Sequence, residues 1–318
     1  MKSYLNDLDR RKNYIIFAEN AYFEDDLEMA IKFYFRALSF QGTKSENIKV
    51  LYNIAIIYDE MDIPEKALKT YEKITQLDKN EAGAFYGMGT MHERLKDKKT
   101  ALKCYIKATE IDPYYDRAFF YIANIYDEIG DKEKAISYYK KVISLIPDDY
   151  MAYNNLGSIY EEIEEYDKAY RMIKKSISLN PDYYRSLFNM GVIYKRLGKY
   201  QKAIEYYDKA IDKNANYSYS YLNKSAIYIE LKEYEKSIEI LSEGIINNPY
   251  AEYLYYNRAC CYAKLGEVDK AIMDLRKSII LYPNIINMAM EDGDFDSIRD
   301  DNRFISLIRE KNGDNLIN

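Results

Sequence analysis

The chain has no tryptophan, one histidine, three cysteines, six prolines and twelve glycines in 318 residues. Each shortage excludes something. So little proline and glycine argues against an all-β chain, which needs many tight turns, and favours helices. Cys104, Cys260 and Cys261 form no disulfide framework, and neighbours Cys260 and Cys261 would point different ways on a helix, which fits a reducing compartment. A lone histidine, His92, leaves little material for a His-based metal cluster or a Cys–His dyad. No apolar run approaches the roughly 20 residues that span a bilayer, and the opening MKSYLNDLDRRKNY has no apolar core of a signal peptide. The expectation is a cytoplasmic protein without membrane insertion. A net charge of −6 lacks the basic surplus that marks nucleic-acid binding.

What is plentiful is hydrophobic residues at 48 %, charged residues at 31 %, and 37 tyrosines, a composition that folds. One period organises it. The small residue after each acidic–basic turn falls at Ala67, Ala101, Ala135, Ala169, Ala203, Ser237 and Ala271, in steps of 34 residues. Ala30 lies 37 residues before Ala67, a first copy with three extra residues around TKSE. With the anchor at position 20, full copies begin at Ile48, Ala82, Asp116, Tyr150, Tyr184, Ser218 and Glu252, and the first near residue 11. Position 8 is small (Ala55, Gly89, Ala123, Gly157, Gly191, Ser225, Ala259), and position 11 is tyrosine in every full copy except that of His92. Position 32 is Pro113, Pro147, Pro181, Pro249 and Pro283.

Positions 4, 7, 8 and 11 share one helix face, as Tyr153, Leu156, Gly157 and Tyr160 do in the fifth copy. A polar turn and a second helix follow, ended by proline, which cannot extend a helix cheaply. One helix pair cannot bury its apolar face alone, but stacked pairs can.

This 34-residue pattern closely resembles the tetratricopeptide repeat family over residues 11–283. The resemblance implies an all-α, right-handed superhelical solenoid of antiparallel helix pairs. Residues 1–10 are then an N-terminal tail and residues 284–318 C-terminal capping helices, with Phe295, Ile298, Phe304, Ile305 and Ile308 apolar.

No catalytic constellation stands out. YGMGTMHERL lacks the third glycine of a dinucleotide fingerprint. Asp292, Asp294 and Asp296 start like a calcium loop, but Ser297 and Arg303 stand where its glycine and glutamate belong. His92 is expected to be a partly buried substitute for tyrosine. The expectation is no enzyme, no cofactor and no metal.

One series remains. Asn53, Asn155, Asn189, Asn223 and Asn257 all fall at position 6. With 23 Asn in the chain, seven such slots should hold about half an Asn by composition, and five are filled. Asparagine is also a poor helix former. Position 6 lies roughly 150° from the core stripe, on the side that the resemblance assigns to a concave, partner-binding surface. A carboxamide can pair with both N–H and C=O of a peptide unit. Helices about 10 Å apart and a chain rising about 3.3 Å per residue would set one Asn against roughly every third residue of a bound segment. The other reading is structural, with Asn bonding to a neighbouring helix. Asn154, at position 5, has no asparagine at the same position in other copies.

Candidate neighbours in the groove are Arg117 and Arg185 at position 2, Tyr52, Phe120, Phe188 and Tyr256 at position 5, and Asn124 at position 9. A two-carboxylate clamp of the kind some family members carry fits Asn124, Asn155 and Arg185, but Phe120 and Asn189 replace two of its three cations. The expectation is a non-catalytic scaffold for an extended protein or peptide segment, or a partner helix, with no nucleic acid. The alternatives are a self-assembling factor, possible as a homo-oligomer, and a peptide- or ligand-sensing regulator.

Overall fold

The computed structural model describes residues 6–313. Among them every regular element is a helix, and the chain divides into two compact units, Met1–Ala152 and Tyr153–Asn318. The first unit pairs α1 (Asp7–Phe23) with α2 (Leu27–Leu38), α3 (Lys44–Glu60) with α4 (Pro64–Leu77), α5 (Ala82–Arg94) with α6 (Lys98–Ile111), and α7 (Asp116–Glu128) with α8 (Lys132–Leu145). The second holds most of α9 (Tyr150–Glu162), then α10 (Tyr166–Leu179), α11 (Tyr184–Arg196), α12 (Tyr200–Lys213), α13 (Ser218–Glu230), α14 (Tyr234–Asn247), α15 (Glu252–Lys264) and α16 (Val268–Leu281). After these come α17 (Ile285–Glu291), a 3-10 turn (Gly293–Ile298) and α18 (Asn302–Gly313). Helix α1 starts at Asp7, capped by the Asn6 side chain, so the last residues of the expected tail are helical. Residues 1–5 and 314–318 of the expected tail and cap lie outside the described residues.

Every pair turns the same way. Position 15 has a left-handed backbone in all eight copies: Asp25, Asp62, Lys96, Gly130, Glu164, Gly198, Lys232 and Gly266. The next N–H then reaches back to the position-11 carbonyl, as Ile63 does to Tyr58 and Glu165 to Tyr160 (2.9 and 2.8 Å). This closes the first helix with the six-to-one bond of a Schellman motif. Glycine adopts that conformation freely, whereas the other five residues hold it at some cost.

The packing inside each pair follows from size. A Cβ at Gly191 would strike the Tyr207 ring, and one at Gly157 would strike Ile173, so a small position 8 makes room for a large position 24. On the outside of the turn, a lysine at position 19 lies over the tyrosine at position 11. Lys66–Tyr58, Lys134–Tyr126, Lys168–Tyr160, Lys202–Tyr194, Lys236–Tyr228 and Lys270–Tyr262 are 5.4, 4.8, 5.6, 5.5, 5.5 and 5.2 Å apart. Where position 11 is His92, position 19 is Thr100. His92 is half-buried, 3.8 Å from the Asp97 carboxylate.

A buried cation serves the first copy and an apolar cluster covers the last. Arg11 is 1 % exposed and donates through Nη1 to the Ala37 and Phe40 carbonyls, both at 3.2 Å, a cation on the carbonyls at the end of α2. At the other end, Phe295, Ile298, Phe304 and Leu307 are buried against α15 and α16. Ile305 and Ile308 are only partly buried.

Candidate functional site

Position 6 of one copy meets position 24 of the copy before it. In the first unit, the Asn53 amide donates to the Tyr34 hydroxyl at 3.1 Å. At the equivalent place Tyr71 covers Gly87, where a Cβ would collide with the ring. One copy later Tyr121 stacks on Tyr105 at 5.4 Å. The asparagine series is interrupted here because an aromatic ring occupies the spot an amide would need.

In the second unit position 24 is Ile173, Tyr207 and Leu241, and the amides bond elsewhere. Ile173 and Leu241 carry no hydroxyl, so Asn189 donates instead to Asn154 Oδ1 (3.0 Å) and Asn257 to the Tyr253 carbonyl (2.7 Å). Asn223 donates to the Tyr219 carbonyl (3.0 Å), while the buried Tyr207 hydroxyl has no partner. Asn155 accepts from Asn154 at 3.1 Å. Asn154 itself is 3 % exposed and also accepts from the Ser186 hydroxyl at 3.0 Å, which lies 2.7 Å from Ser176. Sequence reasoning set Asn154 aside because its position does not repeat. The available signal was the pairing of Ser176 at position 27 with Ser186 at position 3 of the next copy, since the only other serines at those positions, Ser278 and Ser220, belong to different pairs of copies.

The position-5 aromatics lean on position 24 of their own copy. Ring centroids are 6.1 Å apart for Tyr52–Tyr71, 5.6 Å for Phe120–Tyr139 and 5.7 Å for Phe188–Tyr207. All three position-5 rings remain half-buried. Tyr256 is different: at 5 % exposure, its hydroxyl donates to Asp292 at 2.6 Å and its ring packs edge-on against Phe295. It belongs to the core of the C-terminal segment. Asn124 accepts from the Tyr139 hydroxyl. Arg117 is exposed, and exposed Arg185 donates to the Tyr184 hydroxyl at 3.2 Å.

These groups offer hydrogen bonds rather than acid–base chemistry. Burial pushes the Tyr71 and Tyr217 hydroxyls up to about 12 and those of Tyr52 and Tyr207 higher. Burial pushes the Cys104 thiol up to about 11 and raises Cys260 and Cys261 too, so no thiolate is poised to react. Cys260, Asp292 and Asp294 converge closely enough for a metal ion. Their charge is already answered from within: Lys264 pairs with Asp294 at 2.9 Å, and Asp292 caps the 3-10 turn and accepts from Tyr256.

Two cavities recur in the same frame. In the first unit, Glu19, Tyr22 and Phe23 (positions 9, 12 and 13) face Asn53 (position 6 of the next copy) and Ile56 around about 370 Å³. In the second, Val192, Lys195 and Arg196 (positions 9, 12 and 13) face Asn223 (position 6 of the next copy) around about 360 Å³. Their chemistry differs. The first is mostly carbon, with Phe23 84 % and Ile56 45 % exposed. The second is polar, with Lys195 paired to Glu230 (2.7 Å) and Arg196 to Glu161 (2.8 Å).

Comparison with known proteins agrees with the repeat frame. No curated protein matches the chain. Among solved structures it is similar to a tetratricopeptide repeat protein from Parabacteroides merdae, 16 % identical over 74 % of this chain and 93 % of that one, with a TM-score of 0.63. It is similar to PilF of Pseudomonas aeruginosa (19 %, 70 % and 97 %, 0.57) and to a chain of the APC/C hetero-tetramer Cut9–Hcn1 (18 %, 87 % and 54 %, 0.60). At these identities the likeness concerns the fold. The tetratricopeptide repeat profile matches residues 48–81, 82–115, 116–149, 150–183, 184–217, 218–245 and 253–285. The first copy is not among these matches, yet they span well over half of the sequence, and the chain belongs to the tetratricopeptide repeat family.

Proposed function

We propose that this chain is a non-catalytic scaffold that holds an extended segment of a protein partner along the position-6 side of its first helices. Repeats of this family build protein–protein interaction scaffolds, and they fill most of this chain. No helix among the described residues is long and apolar enough to cross a membrane. The observation that carries the proposal is the recurrence of one cavity frame, positions 9, 12 and 13 against the next position 6, in both units. An asparagine of the series stands in the wall each time. Asn53, Asn223 and Asn257 use an amide nitrogen within the fold, and an amide carries a further donor and an acceptor oxygen for a peptide.

The test replaces Asn223 and Asn257 by Ala. Their bonds go to carbonyls of their own helices, so the fold should tolerate the loss. Affinity for the partner should drop roughly tenfold, the scale of one or two hydrogen bonds, with an unchanged circular dichroism spectrum. Equal affinity would remove the asparagines from the binding surface.

The first copy favours a second reading, assembly through an end. Phe17 is 48 % and Met29 37 % exposed beside Tyr14 and Phe33, around a cavity of about 520 Å³. Light scattering over a range of concentrations separates a self-associating chain from a monomeric scaffold, and Phe17→Ser should abolish any association through this face.

A further inference from the structure

The cavity beside Asn53 has a chemistry of its own. Its walls supply the rings of Tyr22, Phe23 and Tyr34, the aliphatic Ile56, and oxygen acceptors. The Asn53 nitrogen donates to Tyr34, and its oxygen has no partner among the described residues. Glu19 is exposed and makes no ion pair among the described residues. Tyr22 donates to Glu60 at 2.8 Å, which holds a second carboxylate against the hydroxyl of that wall residue. Residues 19–28, ENAYFEDDLE, contain five acidic residues and no Lys or Arg. Arg94 neutralises Asp59 on α3 and Asp62 in the turn after it, whereas Glu19 and Glu60 have no ion pair among the described residues.

Aromatic faces next to carboxylates attract a cation, and a carbon floor suits a long aliphatic stem. We propose that this cavity takes an arginine or lysine side chain of the partner segment. Its stem lies on Phe23 and Ile56 and its charged head lies at Glu19 and Asn53 Oδ1, while a neighbouring apolar residue of the partner covers Phe23. An acidic segment is repelled by the same carboxylates. The assignment rests on the scaffold reading and names the partner chemistry at one of its two cavities.

The experiment uses the full chain and three fluorescein-labelled peptides: acetyl-Gly-Leu-Arg-Leu-Gly, its citrulline analogue and its Glu analogue. Fluorescence anisotropy should rank them arginine, citrulline, glutamate, with the first at least tenfold tighter than the last and weakened by salt. Glu19→Lys and Phe23→Ser alter exposed side chains, so both variants should fold, and each should weaken the arginine peptide about tenfold. Lys209→Ala, on an exposed residue outside the cavity, should not. Equal binding of the arginine and glutamate peptides, no binding of either, or indifference to Glu19→Lys would overturn the assignment. A chain that fails these peptides yet still crosslinks a partner from Val192 would lose this assignment and keep the scaffold reading.

Discussion

Asn189 donates its amide to Asn154, 35 residues earlier and 3.0 Å away, and Asn154 is sealed at 3 % exposure. The residue without repeat partners therefore anchors one that has them. Asn154→Ala would leave the Ser186 hydroxyl and the Asn189 amide without their acceptor, at a cost of about 1–3 kcal/mol. Asn154→Leu, which places at position 5 the residue the seventh copy carries as Leu222, loses the same acceptor but fills the space, and should cost less. Urea denaturation of both variants, followed by circular dichroism, checks the order.

The left-handed turns predict stabilising changes. Glu164 and Lys232 hold φ of 62° and 60°, where glycine sits at lower cost. Glu164→Gly and Lys232→Gly should each raise the urea midpoint, with a gain on the order of 0.5–1 kcal/mol. Gly198→Ala, at φ 68° with open space around it, should lower the midpoint by a similar amount.

Position 7 belongs to the core stripe, yet the last two copies carry Lys224 and Arg258 there. Each has a carboxylate: Asp208 at 2.5 Å and Asp274 at 2.6 Å. Asp274 is 2 % exposed, and Arg258 also donates to Ser242. Asp274→Ala strands a largely buried guanidinium and should cost about 3–5 kcal/mol, whereas replacing both partners by Leu should cost far less. A double-mutant cycle in thermal unfolding measures the difference.

The buried thiols set a pH dependence. The folded Cys104 thiol titrates near 11, raised by burial, against about 8.5 in an unfolded chain. Its contribution is fully present below about 8.5 and is lost as the pH rises through 11. Cys104→Ala should flatten part of the alkaline fall in stability. In the native protein all three buried thiols should react with a disulfide reagent at mildly alkaline pH only as fast as the chain opens.

The repeat frame was legible because it is written seven times over. The Ala or Ser anchors, the small position 8 and the prolines recur at fixed steps, and the helix pairs follow them. The Lys–Tyr pair of positions 19 and 11 was legible in the same alignment of copies, down to its absence with His92 and Thr100. What single positions become in three dimensions was harder to see. Asn53 meets the hydroxyl of the preceding position 24, whereas Asn223, which also follows a tyrosine there, turns to its own helix, and a position-by-position reading does not separate the two. Tyr256 shares its position with half-exposed rings, but the C-terminal segment folds over it and supplies Asp292. That outcome depends on residues outside the repeat.

The central claim is that partners lie against the two cavities framed by positions 6, 9, 12 and 13. A photo-crosslinking side chain can replace Ile56 or Val192 in those walls, or the exposed Lys175 and Lys209 on the second helices. Irradiation in native extract, with the products identified by mass, should show the same partner protein attached through Ile56 and Val192 and absent from Lys175 and Lys209. Attachment from Lys175 and Lys209 alone would contradict the account.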